Sequence, residues 1–363
     1  MTRDREDGGV PARLAALRER MRASGMDAYL VPSGDFHGSE NMGEYFQCRA
    51  YITGFTGSAG TAAILPESAG LWTDGRYFVQ AEAQLLGSGI SLFKMGQEGV
   101  PDLEDYLAEQ LPEGGVLGLD GRMADMLTVE RLVEKLAPKR IFLSFHADLA
   151  GDIWTDRPPL SHKPLWIVPE RLAGEAAGEK LAALKAAIRE KNATAHVLTA
   201  LDEIAWLLNL RGGDIDCTPL FLAYFLITGE RMRLFVQEES LSGPVRAYLD
   251  RLGVKTAAYS GFYEALSELS GETVLLEKAR VNARIGEILC GRNTILDSVN
   301  PAARRKAVKN PVEMEHMRKA HIRDGVAVTR FLYWLKHAVG AQEIDECAAA
   351  ARLSDFRAEQ EGS

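Results

Sequence analysis

Residues 51–80 constrain the fold more than any other part of the chain. Glycine recurs there at three-residue spacing, as Gly54, Gly57 and Gly60. Because glycine adopts positive φ without steric cost, this spacing predicts a tight turn. We expect a strand to enter the turn through an apolar run ending at Ile52, and a β-prone strand over residues 61–65 to leave it.

The remainder of this segment predicts a meander closed by a helix. Pro66 ends the leaving strand because proline cannot continue a central ladder. A short strand over residues 71–73 follows, the dipeptide Asp74-Gly75 favours a turn, and a helix is expected over residues 76–86.

The same glycines raise the alternative of a phosphate-binding loop. A Walker loop ends in Gly-Lys-Ser/Thr and a dinucleotide fingerprint opens a helix, whereas these glycines lead into a β-prone run. We therefore predict that the segment is structural and binds no nucleotide.

Length and charge exclude several classes of function. The chain has 363 residues, of which 46% are hydrophobic, and this size predicts two or three domains. A net charge of −9 disfavours nucleic-acid binding, which needs a clustered basic face. The N-terminal sequence MTRDREDGG has no apolar signal core, and no run of about 18 apolar residues exists for a membrane span. We expect a cytoplasmic protein without nucleic-acid or membrane partners.

Alternating helices and strands predict an α/β fold. An amphipathic helix over residues 11–24 precedes a buried strand over residues 27–31, and further strands and helices alternate as in a mixed sheet flanked by helices. Residues 152–169 are rich in proline and predict a stiff linker. Beyond it, a helix, a strand, a second helix and a glycine-rich turn recur in the first domain's order, which predicts two domains of like fold.

The polar loop after the first strand is the first candidate site. Within it, Asp35, His37, Ser39 and Glu40 follow a strand end, where α/β proteins commonly place ligand groups. The alternative is that Asp35 and Ser39 only turn the loop and that His37 is solvated.

A long helix is predicted near the end of the sequence. Asn310, Pro311 and Glu313 form a capping-box pattern, from which the helix should run to about residue 339. Its apolar side chains share one face that needs a partner, and another amphipathic helix is expected over residues 343–360. The members of the apolar face are Met317, Val328, Phe331, Leu332 and Leu335.

Three further groups of polar residues have competing interpretations. Glu313 and His316 form a Glu-x-x-His pair of the kind found in di-iron bundles, but only one copy exists, so we expect no metal there. His321 and Asp324 are expected to form a buried ion pair, or His321 to be held by a hydrogen bond, rather than to form a catalytic dyad. Arg211, near Asp214 and Asp216, is expected to form a salt bridge within its turn rather than a carboxylate clamp.

Six segments, in order along the chain, resemble the cytosolic aminopeptidase P family, which comprises Xaa-Pro aminopeptidases of the creatinase/prolidase "pita-bread" group. These segments are SGDFHGSE from Ser33, TGFTGSAGTAAI from Thr53, WTDGRYFVQA from Trp72, IWTDRPPL from Ile153, IAWLLNLRG from Ile204 and KNPVEMEHMRKAHIRDGVA from Lys309. The resemblance implies two domains similar to the creatinase N-terminal domain, over residues 10–157 and 158–304. Residues 305–363 would then begin a truncated pita-bread catalytic domain.

The resemblance also implies an activity. Members of the family form homodimers and remove the N-terminal residue that precedes proline from a peptide, using two divalent metal ions, commonly manganese. Their metal ligands lie downstream of the region that this chain resembles, so we expect no catalytic or metal-binding residue here, no bound cofactor, and no activity of the chain alone. In the family, the polar loop faces the catalytic cleft, which makes Asp35, His37, Ser39 and Glu40 candidate residues of the substrate rim.

Two alternatives to an aminopeptidase P remain. One is a binding protein that uses the peptidase-like fold without catalysis. The other is a metal-free, creatinase-like hydrolase, which the sequence disfavours because the six segments resemble the aminopeptidase branch.

Overall fold

The structure, a computed structural model, describes residues 9–360. The first domain is built from six helices and six strands. They are α1 (Gly9–Ala23), β1 (Ala28–Pro32), α2 (Cys48–Thr53), β2 (Thr61–Ile64), β3 (Ala69–Thr73), α3 (Phe78–Gln84), β4 (Ser91–Lys94), α4 (Leu103–Gln110), β5 (Val116–Leu119), α5 (Met126–Leu136), β6 (Phe142–Ser144) and α6 (Leu149–Ile153).

The six strands form one mixed sheet in the order β4-β3-β2-β1-β5-β6. β2 runs antiparallel to both β1 and β3, and the other neighbouring pairs are parallel. Successive side chains of a strand point to opposite faces, so Tyr29 packs among residues of α1 and Leu30 packs among residues of α4 and α5. The predicted mixed sheet with helices on both faces is confirmed.

The second domain contains the next helices and strands. They are β7 (Trp166–Ile167), α7 (Glu170–Ala173), α8 (Ala177–Glu190), β8 (Ala195–Leu198), α9 (Leu201–Leu207), β9 (Leu210–Arg211), β10 (Ala223–Thr228), β11 (Arg231–Val236), α10 (Gly243–Arg251), β12 (Val254–Ala258), α11 (Phe262–Ser267), β13 (Thr273–Leu276), α12 (Ala283–Leu289), β14 (Thr294–Asp297) and α13 (Pro301–Ala307).

The main sheet of the second domain repeats that of the first. Its order is β12-β11-β10-β8-β13-β14, with β10 antiparallel to both of its neighbours and the other pairs parallel. Strand for strand, this is the order and direction of the first sheet. The internal repeat predicted from the sequence is therefore confirmed, and β7 pairs separately with β9.

The last region consists of α14 (Pro311–Ala338) and α15 (Glu346–Ala358). The predicted capping box is present, because Asn310 Oδ1 accepts from the Glu313 amide at 2.9 Å and a Glu313 carboxylate oxygen accepts from the Asn310 amide at 3.0 Å. Trp206 Nε1 donates to the other Glu313 oxygen at 3.1 Å, which joins the start of α14 to the second domain.

The apolar face of α14 is only partly covered. α15 packs against α14 and buries its own Phe356 there. Met317 and Leu332 stay 45% and 49% exposed. None of the helices within residues 9–360 is long and apolar enough to cross a bilayer.

The structure corrects the expectation for the segment before the glycines. The residues that should form an entering strand form α2, and Gly54, with φ of 71°, ends this helix in the left-handed conformation. Gly57 is required for space rather than for φ, because a Cβ there would lie 2.3 Å from the Phe55 ring. The local pattern identified a chain reversal correctly but assigned the wrong element before it.

Two of the expected ion pairs are also wrong. His321 and Asp324 are both exposed, and Asp324 pairs with Arg357 of α15 at 2.7 Å. The His321 ring is instead held by its own helix, because Nδ1 donates to Met317 O at 2.8 Å. Arg211 donates to backbone carbonyls, whereas Asp214 accepts from Ser161 and from two backbone amides. Asp324 and Asp214 thus have partners distant in sequence, whereas Arg211 bonds to carbonyls of its own neighbourhood.

Lys180 is a buried lysine of the second domain, and its burial makes the stability of the fold depend on pH. It is 1% exposed, and its Nζ donates to Trp206 O at 3.0 Å and to Asn209 Oδ1 at 2.8 Å. Burial lowers the pKa of Lys180 to about 8 from an ordinary 10.5. Between these values the unfolded chain binds more protons, so the lysine makes stability rise as the pH increases.

We therefore expect Lys180 to make the melting temperature increase with pH between pH 8 and 10.5. Lys180→Met should remove it, whereas Lys185→Met, a control at an exposed ion pair on the same helix, should keep it. Scanning calorimetry of the three proteins across this range checks the expectation, and equal slopes for the two variants would contradict it.

Candidate functional site

The polar loop over residues 33–47 lies where the two domains meet. Arg49 binds the first residue of this loop. The Arg49 side chain is 3% exposed and donates through Nε to Ser33 Oγ at 2.7 Å. Its Nη1 donates to Phe55 O at 2.8 Å, and Nη2 donates to Gly57 O. One buried guanidinium thus joins the start of the loop to the glycine-rich segment.

Asp35 shapes the loop from within. One oxygen of its carboxylate accepts from the backbone amides of His37 and Ser39, both at 2.9 Å, which is an Asx-type turn. The residue is 2% exposed, and Oδ2 has no hydrogen-bond partner among the described residues. Asp35 therefore turns the chain, and it lies inside the protein rather than on a surface.

His37 reaches from the first domain into the second. Its Nδ1 donates to Thr199 O at 3.0 Å, and Nε2 accepts from the Tyr259 hydroxyl at 2.8 Å. Because a carbonyl can only accept, this arrangement fits the neutral ring with its proton on Nδ1. Burial lowers the pKa of His37. The alternative of a solvated His37 is wrong, since the side chain is 1% exposed.

An aromatic cluster of the second domain surrounds the histidine. The Tyr224 ring lies 4.5 Å from the His37 ring and stacks on Phe262 at 3.9 Å between centroids. Tyr263 bonds to Tyr224 through the hydroxyls at 3.2 Å, and burial raises the pKa of Tyr263 to about 12. Nothing in the local sequence pattern singled out these residues, because they come together only in the folded chain.

Backbone hydrogen bonds fix the two domains to each other. Ala283 N donates to Ala124 O at 2.8 Å, and Met126 N donates to Val281 O at 2.9 Å. Asn282 caps α12, and its Nδ2 donates to Phe36 O at 2.8 Å. Paired backbone thus joins the two domains, and the Asn282 side chain connects the polar loop to this junction.

Ser39 and Glu40 face a groove between the domains. Ser39, half-buried, and Glu40, exposed, line a cavity of about 340 Å³ whose opposite wall includes Leu201 and Arg280. Glu40 also lines an adjoining cavity of about 500 Å³. The four candidate residues thus separate by exposure, because Asp35 and His37 are buried while Ser39 and Glu40 are accessible in the groove. His37 also contributes to the lining of the smaller cavity.

The described residues do not fit a two-metal centre. Within residues 9–360, no three His, Cys, Asp or Glu side chains converge in a way that could hold an ion. Glu313, half of the Glu-x-x-His pair, already accepts from Trp206 and from the Asn310 amide.

Two matches to a known family agree with this architecture. Residues 13–151 and residues 156–313 each match the Creatinase/Prolidase N-terminal domain. Each matched segment contains one of the two six-stranded sheets. The fold and these matches define a protein of the creatinase/prolidase group.

Similar proteins give a narrower assignment. The chain is 37% identical to the probable Xaa-Pro aminopeptidase P of Coprinopsis cinerea, across 95% of this chain and 58% of that protein. It is 34% identical to aminopeptidase P2 of Arabidopsis thaliana, across 97% of this chain and 55% of that protein. The chain belongs to the aminopeptidase P family.

A solved structure shows the same arrangement of domains. The crystal structure of the X-prolyl aminopeptidase of Caenorhabditis elegans, described as a cytosolic enzyme with a di-nuclear active site, superimposes with a TM-score of 0.90 at 29% identity. The match covers 97% of this chain and 60% of the nematode chain. The chain thus spans between half and two thirds of the length of these relatives.

The buried position of His37 leads to a pH prediction. With its pKa lowered in the folded state, the unfolded chain binds the proton more readily, so stability should fall as the pH drops below about 6.5. His37→Asn should reduce this dependence and cost about 1–3 kcal/mol at pH 7.5 through lost hydrogen bonds. His196, also buried with a lowered pKa, should retain part of the dependence.

Urea unfolding at pH 7.5 and pH 5.5 measures both effects. His162→Asn is the matched control, because His162 is exposed. A His37→Asn protein with the pH dependence of the wild type would contradict the assignment of His37 as a neutral, buried bridge.

Proposed function

We propose that this chain acts in an Xaa-Pro aminopeptidase, which removes the N-terminal residue preceding proline from a peptide. The observation that carries the proposal is the similarity along almost the whole chain to proteins named for that activity, with 37% identity to the Coprinopsis cinerea protein. The TM-score of 0.90 against the nematode X-prolyl aminopeptidase supports the same conclusion.

The described residues contribute binding and positioning rather than hydrolysis. The nematode enzyme has a di-nuclear active site, and residues 9–360 of this chain offer no group that fits such a centre. In our proposal the 363-residue chain has no turnover by itself, and two divalent ions, with manganese as the expected metal, act in the complete enzyme. The protein is cytoplasmic and homodimeric in this scheme, and its domains comprise residues 10–157, 158–304 and 305–363.

The rim of the substrate site, in this proposal, includes the polar loop. Ser39 and Glu40 contact the peptide directly because they line the groove between the domains. Asp35 and His37 act as positioning residues, since the first turns the loop and the second attaches it to the second domain. A carboxylate on the rim favours a peptide with a positive group nearby.

The native protein provides the test of function. Its intact mass is measured first, and it is then incubated with Arg-Pro-Pro and excess manganese, with and without a chelator, alongside the 363-residue chain. We expect the native protein to cleave the Arg-Pro bond only without the chelator, and the 363-residue chain not to cleave it. A native protein without cleavage would overturn the proposed activity, and chelator-sensitive turnover by the 363-residue chain would overturn its proposed inactivity.

The rim assignment is tested in the same active protein. Glu40→Gln and Ser39→Ala should each raise KM for Arg-Pro-Pro by about threefold to tenfold with little change in kcat, because they remove contacts equally strong in the ground and transition states. Glu98→Gln, at an exposed residue remote from the groove lining, is the control. An unchanged KM in both rim variants would show that the loop does not contact substrate.

A further inference from the structure

A separate cavity of about 460 Å³, the α14 cavity, lies where the second domain meets the start of α14. Trp206, Leu220 and Met317 form an apolar wall, while Arg211 and Lys309 bring positive charge to it. The cavity therefore combines an apolar surface with cationic groups, a combination typical of sites that bind small anionic molecules with an apolar part.

Arg211 is held in place by the backbone and lacks an acidic partner. Its Nη1 donates to Ala205 O at 3.0 Å and to Leu210 O at 2.8 Å. Across residues 9–360, no carboxylate lies within ion-pair distance of Arg211, and its Nε and Nη2 groups make no hydrogen bond. The side chain is half-buried and lines the cavity. Three N–H bonds of a fixed guanidinium are thus available for a ligand.

Glu313, a carboxylate that itself lines the cavity, already has hydrogen-bond partners. One of its oxygens accepts from the Asn310 amide and the other accepts from Trp206 Nε1. Its negative charge acts on Arg211 only at longer range, and burial of the guanidinium still lowers the pKa of Arg211. The desolvated charge of Arg211 is therefore not compensated by a contacting acid in the described part of the chain.

The two lysines of the cavity differ in their pairing. Lys306 pairs with Asp202, so this lysine adds little net charge. The Lys309 ammonium donates to Lys306 O at 2.7 Å, is exposed, and forms no ion pair with a described carboxylate. Arg211 and Lys309 are consequently the two cationic side chains of the cavity lining that have no acidic partner among residues 9–360.

We propose that the α14 cavity binds the C-terminal carboxylate of a short peptide. The guanidinium of Arg211 receives the carboxylate through paired N–H bonds, a geometry that lysine cannot reproduce. The neighbouring apolar side chain of the peptide packs against Trp206, Leu220 and Met317. This inference rests on the proposed peptide substrate and adds to it a preference for short peptides with a free carboxylate.

Calorimetric titration of the 363-residue chain tests the site without turnover. The probe is Pro-Phe-Leu, which begins with proline as a cleavage product would, and it is compared with Pro-Phe-Leu-amide. We expect the free acid to bind at least about tenfold more tightly than the amide, since the amide removes the charge that strengthens the hydrogen bonds to the guanidinium. Equal affinities would overturn the proposal, even if the native protein cleaves Arg-Pro-Pro.

A third peptide, Pro-Phe-Glu-amide, distinguishes the source of the carboxylate. It carries an acidic side chain but no C-terminal carboxylate, so we expect it to bind as weakly as Pro-Phe-Leu-amide. Binding of this peptide as tight as that of the free acid would overturn the assignment to the chain terminus.

Variants assign the carboxylate contact to Arg211. Arg211→Met should abolish the preference for the free acid, and Arg211→Lys should restore only part of it. Because Arg211 also supports backbone carbonyls, the melting temperature of each variant is measured, and Lys309→Met supplies a second variant at an exposed residue. Lys309→Met should weaken binding of the free acid by about threefold.

Arg189→Met is the control, because this exposed arginine pairs with Glu230 outside the cavity. It should bind like the wild type. A folded Arg211→Met protein that retains the full preference, or a Lys309→Met protein indistinguishable from the control, would contradict the site.

Discussion

The orientation of the two sheet domains depends on the seam at which His37 is buried. The imidazole bonds to a carbonyl and a tyrosine of the other domain, and paired backbone around Ala124 and Ala283 runs beside it. A buried polar group is tolerated only when its hydrogen bonds are made, so a rotation of one domain against the other would leave several donors and acceptors unpaired. The shape of the groove between the domains therefore depends on these hydrogen bonds being kept.

The two domains share a topology but use it differently. In the first, the residues after the first sheet strand form the long polar loop that reaches the seam. In the second, the corresponding strand β8 is followed at once by α9, whose Trp206 and Glu203 are buried. The repeated fold therefore gives each domain its core. The segment after β1 or β8 differs between the domains, being a polar loop in the first and a buried helix in the second.

Much of the fold could be predicted because its signals are local. The capping box at Asn310 and the repeated order of elements both depend on residues a few positions apart. β12 and β14 had no such signal, and α12 and α13 were missed although Asn282 and Asn300-Pro301 are local helix-start signals. α2 was mistaken for a strand because a short apolar run before glycine fits either element. Tertiary packing decided α2 and the two strands.

The candidate site was predictable in part. A polar loop after a strand could be identified, but the sequence did not separate Asp35 and His37, which are buried, from Ser39 and Glu40, which are accessible in the groove. That separation depends on Tyr224, Tyr259 and Asn282, which lie far along the chain. Arg211 is a second example. Its proximity in sequence to Asp214 and Asp216 suggested an ion pair, but in the folded turn these acids bond to other groups.

The attachment of α14 has a mechanical consequence. The helix has 28 residues, which at 1.5 Å per residue makes it about 42 Å long. Its first turn is clamped by the capping box and by Trp206, whereas much of its far half is solvent-exposed. A tilt of about 5° at the clamp would move the far end by about 4 Å, as follows from that length. The hydrogen bond between Trp206 and Glu313 thus sets the direction of the whole helix. A small change in the helix angle at this bond produces a much larger displacement at the opposite end.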